Sequence, residues 1–149
     1  MNNKPPTMIA VFVENPKRLF LTDALGACLT AFLLAFVLAR FESFFGMPPQ
    51  VLFCLSFIAA CYAAYSVLCF LFITKQWKKY LSLIIAANFL YACLTLILVV
   101  YYRHSLTFFG ALYFFIELIV MSILIITELK TLVVAKNGNY NAPDISRTD

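Results

Sequence analysis

Apolar residues fill four long runs of this chain, Leu19–Phe45, Val51–Thr74, Tyr80–Tyr102 and Leu106–Leu132, with short polar breaks between them. None alternates with the period of two expected of a half-buried strand or a barrel wall. Each exceeds the roughly 20 apolar residues an α-helix needs to cross a hydrocarbon core about 30 Å thick. The pattern therefore predicts an all-α membrane protein, an up-down-up-down bundle of four transmembrane helices. The breaks at 46–50, which hold Gly46, Pro48 and Pro49, and at 103–105 are short enough to make sequential helices antiparallel neighbours.

The ends of the chain read differently. "ENPKRLF" marks a helix start, with Asn15 as an N-cap type and Pro16 in the first turn, where its missing N–H costs nothing. Residues 1–18 form an N-terminal segment whose apolar centre "MIAVFV" either lies along the membrane surface or runs in extended. The first long run exceeds a signal-peptide core and no small-x-small cleavage pattern follows it, so it is expected to remain in the protein. Residues 133–149 form a polar tail expected to be disordered.

Composition turns the pattern into an exclusion. The chain is 64% hydrophobic and 12% charged, against about half and a quarter in ordinary soluble domains. A soluble fold of this size has too little interior to hide that much apolar surface. The net charge of +4 is carried in short loops. Lys4, Lys17, Arg18, Lys75, Lys78, Lys79, Lys130, Lys136 and Arg147 fall on one side of a four-span arrangement, leaving Arg40 and Arg103 on the other. Basic loops stay inside, so both termini are expected in the cytoplasm and the protein in the cell's cytoplasmic membrane, with the lipid bilayer as its main partner. Bases divided in this way do not make a nucleic-acid surface. Trp77 and Tyr80 at one edge, with Tyr101 and Tyr102 at the other, fit interfacial aromatic belts.

Small residues mark where membrane helices approach closely, because lipid supplies no hydrophobic drive between them. Ala27, Ala31, Ala35 and Ala39 recur every fourth residue of the first span, and Ser56, Ala60 and Ala64 do so in the second. These two spans are expected to form the tightest pair. The same ridge would also serve a homo-oligomer or a membrane-protein partner.

Candidate chemistry is sparse. Cys28, Cys54, Cys61, Cys69 and Cys93 lie within spans, form no CxxC pair and have no intramembrane histidine beside them, so they read as small hydrophobes. His104 stands in a turn beside Arg103 and reads as a solvated loop residue. Neither a metal nor another cofactor is implied, and no cluster of reactive groups suggests an enzyme. What remains is a set of intramembrane polar residues, which are expensive in lipid and usually face the bundle interior. Glu117, in "FFIELIV", lies about 16 Å into the fourth span by helical rise, near the midplane. Tyr62 is level with it, Tyr113 is one turn away on the same face, and the long side chain of Arg40 could reach inward. Glu117 is thus read either as a neutral acid bonded to Tyr62 or as an anion paired with Arg40. Asn88 lies about 12 Å into the third span. Asp23, about 6 Å into the first, is read as an interfacial residue within reach of headgroups or Lys130.

These residues support a structural or accessory subunit in which Glu117 fixes helix register. The alternative is a small proton- or cation-coupled transporter working through Glu117. Four-span multidrug exporters carry their membrane glutamate in the first helix of a shorter chain, and four-span glutathione-transferring enzymes use an Arg–Asn–Glu-rich helix. Neither pattern is present here. The stretch "LFLTDALGACLTAFLLAFVLARFESFFGMP", followed by spans ending in "YFFIELIVMSILIITELKTL", resembles short uncharacterised four-span bacterial membrane proteins. That resemblance implies a bacterial cytoplasmic membrane and brings no ligand or catalytic residue with it.

Overall fold

The computed structural model describes residues 7–72 and 77–136, and every element in them is helical. A short helix α1 (Thr7–Glu14) leads to α2 (Pro16–Phe32), which runs on through a wider π-helical segment, Leu33–Leu38. Then come a single turn of helix, α3 (Glu42–Phe45), and three long helices, α4 (Pro49–Phe72), α5 (Trp77–Tyr101) and α6 (Phe108–Lys136). Four helices, α2 with its extension, α4, α5 and α6, are long and apolar enough to cross a membrane.

The boundaries follow backbone chemistry more closely than hydropathy. Asn15 and Pro16 do open α2, although the Asn15 side chain makes no capping bond. The first span stops at Leu38, short of the expected Phe45, because the chain turns at 39–41 and restarts as α3. Apolar Phe44 and Phe45 serve that turn instead, with Phe44 stacked on Phe109 at 4.6 Å between ring centroids. At the other end α6 continues past Leu132 to Lys136, since Val133, Val134 and Ala135 extend its apolar face. The remainder of the tail and residues 1–6 lie outside the described residues. Of the two readings of "MIAVFV", the extended one is overturned: these residues are helical, and α1 packs on α2 and α6 with Ile9 buried.

Glycine permits the α3–α6 corner. Gly46 ends α3 with φ +78°, and a Cβ there would lie 2.0 Å from the Ser105 carbonyl oxygen. A Cβ on Gly110 would lie 2.1 Å from the Phe45 carbonyl oxygen. Thr107 fastens the corner. Its hydroxyl donates to the Phe44 carbonyl at 2.6 Å, its N–H donates to the Phe45 carbonyl at 3.2 Å, and its oxygen caps α6 by accepting the Gly110 N–H at 3.2 Å.

Helix α2 makes its most extensive interface with α4, and α5 makes its own with α6. Ala27, Ala31, Ala35 and Ala39 are all half-buried. Opposite them on α4 the expected Ala60 and Ala64 are exposed and their neighbours Ala59 and Ala63 are buried instead, while the Ser56 hydroxyl donates to the Ala31 carbonyl at 2.8 Å. Interhelical bonds of this kind contribute about 0.6 kcal/mol on average in membrane proteins. Ser56→Ala should therefore lower stability in detergent by about that amount, read from the midpoint of unfolding in sodium dodecyl sulfate. A loss above about 2 kcal/mol would mean that the hydroxyl holds more than this one contact.

The core falls into two apolar clusters. One, near the Gly46 corner, contains Leu34, Leu38, Leu52, Leu55 and Phe114. The other, near the basic helix ends, contains Leu19, Phe20, Cys69, Leu81 and Leu132. Asp23, Ser66, Asn88, Glu117 and Glu128 lie between the two along their helices, whereas Ser56 and Thr95 lie alongside the first.

Candidate functional site

Each long helix contributes one polar side chain to a connected centre in that intermediate layer: Asp23 from α2, Ser66 from α4, Asn88 from α5 and Glu128 from α6. The Ser66 hydroxyl donates to Asp23 Oδ2. The amide nitrogen of Asn88 donates to Asp23 Oδ1 at 2.8 Å and to Glu128 Oε2 at 3.3 Å, one hydrogen for each carboxylate. Asp23 is 2% exposed and Glu128 0%. Along α6, about 16 Å away by helical rise, Glu117 Oε1 accepts from the Tyr91 hydroxyl at 3.4 Å. Two carboxylate oxygens, Glu117 Oε2 and Glu128 Oε1, are buried without a hydrogen-bond partner among the described residues.

Among the described residues, no base balances these acids from within the layer. Every described lysine and arginine is exposed, at the helix ends or in the turns. Lys78, for example, donates to the Ala135 carbonyl at 2.6 Å on the surface. Two carboxylates joined through one amide nitrogen in apolar surroundings do not both carry an uncompensated charge, because an isolated buried anion is far too costly. A proton or a cation has to accompany them.

A cavity of about 240 Å³ adjoins the layer. Its walls come mainly from α2 and α6, two helices that share no interface comparable to α2–α4 or α5–α6. Its floor comes from α4 and α5. Glu117, Tyr62, Asn88 and Tyr113 all line it, together with Tyr91 and Asp23.

Several sequence expectations change here. The acid expected to bond Tyr62 or pair with Arg40 meets Tyr91 instead, while Tyr62 packs edge-on against the Tyr91 ring at 6.1 Å. Arg40 is exposed and takes no part in the cavity: it follows the end of the π-helical segment, where the chain has already begun to turn away. Asp23 does not pair with Lys130, which is exposed; it is enclosed by α4 and bonded to Ser66 and to Asn88 of α5. Depth counted along one helix could not show this, because the neighbouring helices set burial. His104 is exposed beside Arg103, and the five cysteines are free.

Glu128 and Ser66 escaped sequence reading. Glu128 had a signal, since residues 117 and 128 are three helical turns apart and so share one face of α6. Ser66 had none that distinguished it from other small hydroxyl residues of α4. Against known protein families, curated proteins and solved structures, the chain matches none.

Proposed function

We propose that this chain is a bacterial cytoplasmic-membrane protein, with both termini inside, whose buried carboxylates bind a proton or a monovalent cation as part of coupled transport. One observation carries the reading: three buried acids, two of them with an unpartnered oxygen, have no buried base near them among the described residues. A group of this kind inside membrane helices is a functional-site candidate by default, because lipid makes it expensive to keep. The basic loops support the membrane side proposed, with Lys17, Arg18, Lys78, Lys79 and Lys136 at one end of the helices.

The structural reading also has an observation in its favour. The Asp23–Ser66–Asn88–Glu128 centre ties all four helices together, as a register lock would. The two readings part on whether the acids exchange with water. Infrared difference spectra of the protein in liposomes, taken between pH 5 and 9 and with Na⁺ or K⁺ added, should show carboxyl bands that change and that vanish selectively in Asp23→Asn, Glu117→Gln and Glu128→Gln. Bands that stay constant across pH and salt would leave the four-helix lock, with an accessory subunit as the function.

A further inference from the structure

The cavity between α2 and α6 is built unlike a packing defect. Its walls are largely aliphatic, yet one carboxylate of Glu117 lies against it, 8% exposed, with Oε1 held by Tyr91 and Oε2 left without a partner. Tyr62, Tyr91 and Tyr113 border the same space. A carboxylate among aromatic rings is the chemistry that recognises an organic ammonium group, through ion pairing and attraction to the ring faces. At about 240 Å³ the space exceeds the roughly 150 Å³ that accommodates benzene, which leaves room for one ring and a short charged arm.

Gly26 gives an independent indication. It stands within α2, on the cavity wall, where a glycine costs about 1 kcal/mol relative to alanine. A Cβ at this position would meet nothing within 4 Å. Packing against the rest of the chain therefore does not require the glycine, and its effect is to keep the wall open. Leu29, Ile116 and Val120, also on the cavity walls, belong to the exposed apolar surface of α2 and α6. The opening thus faces the side of the bundle that lipid would cover.

We propose that this cavity binds a small lipophilic organic monocation, entering from the lipid side, with its cationic group on Glu117 and its apolar body between α2 and α6. The site names the substrate class of the transport reading and rests on that reading for its biological meaning. Its binding chemistry can be read with no ion flux at all.

The probe is benzyltrimethylammonium, a permanent cation, with neopentylbenzene as its uncharged counterpart of the same shape. Thermal unfolding and calorimetric titration of the detergent-purified chain should give saturable binding of the cation and none of comparable strength for the neutral compound. Glu117→Gln should weaken cation binding about tenfold or more, as loss of one charged partner does. Gly26→Leu, which fills the opening from an unobstructed position, should abolish binding while keeping the melting temperature at or above that of the parent. It decides the matter if Glu117→Gln does not fold. Equal binding of both probes, undiminished cation binding in Gly26→Leu, or no binding at millimolar cation would each overturn the site. Binding without any carboxyl titration in liposomes would keep the site and remove the coupled transport; titration without binding would do the reverse.

Discussion

Asn88→Leu is expected to destabilise the bundle by about 3 kcal/mol, more than any other single substitution in the polar layer. The side chains are similar in size, so the change makes little cavity. It removes both N–H donors at once, leaving Asp23 Oδ1 and Glu128 Oε2 buried without them. Each stranded acceptor costs about 1–3 kcal/mol, and no described base is near enough to compensate. Equilibrium unfolding followed by circular dichroism, in mixed micelles of increasing dodecyl sulfate, measures the loss. Repeating it in an Asp23→Asn, Glu128→Gln background gives a coupling energy, and the cost of Asn88→Leu should fall by about half when its partners are neutral amides. A loss under about 1 kcal/mol in the parent would show that water or a bound ion, rather than Asn88, satisfies the acids.

The larger effect should come from a position without any polar chemistry. Gly46→Val should cost about 4 kcal/mol or more and prevent accumulation of folded protein at 37 °C. A β-branched residue at φ +78° is strained in itself, and its Cβ would have to displace the Ser105 carbonyl, which a Gly46 Cβ would approach to 2.0 Å. The Thr107 N–H, 2.8 Å from the same point, bonds the Phe45 carbonyl, so any retreat of the 105–107 turn breaks that bond and endangers the cap on α6. Gly26→Ala is the internal control, since it meets open space and should stabilise by up to about 1 kcal/mol. The yield of monodisperse protein and the unfolding midpoint of the three chains side by side test the contrast. A Gly46→Val protein as stable as the parent would mean that the α3–α6 corner is not the clamp described above.

The contrast between these two residues also explains what could be read from the sequence. The four long helices were legible because each needs only one property, apolar length, which hydropathy along the chain measures directly. Glu117, Asn88, Tyr62 and Tyr113 were legible as interior candidates because a polar group in an apolar run is costly wherever it points. What they would touch was not legible. Glu117 chose Tyr91 over Tyr62, and Asp23 came under α4 and met Asn88 of α5, because helix rotation and pairing decide contacts, and both depend on all four helices together. Depth along a helix orders residues in one dimension only. Glu128 was lost for a different reason: it stands only four residues from the expected end of the fourth span at Leu132, and burial there depends on the other helices. In the structure α6 runs on for two turns beyond Glu128, to Lys136, and α5 packs against it with Asn88 on the Glu128 carboxylate.

Those two turns have their own consequence. Helix α6 has 29 residues, or about 43 Å at 1.5 Å per residue, against a hydrocarbon thickness of about 30 Å. A helix that long in a bundle of shorter ones ordinarily tilts, or deforms the lipid around it. Here one face of the excess is covered by protein: α1 packs along α6, Ile9 is buried, and Phe12 packs against the cluster that contains Leu132. The chain thus brings its own partial collar for the overlong helix, which meets part of the hydrophobic mismatch with protein. Glu128, one turn from Leu132 and fully buried, thus takes its surroundings from the fold and not from lipid.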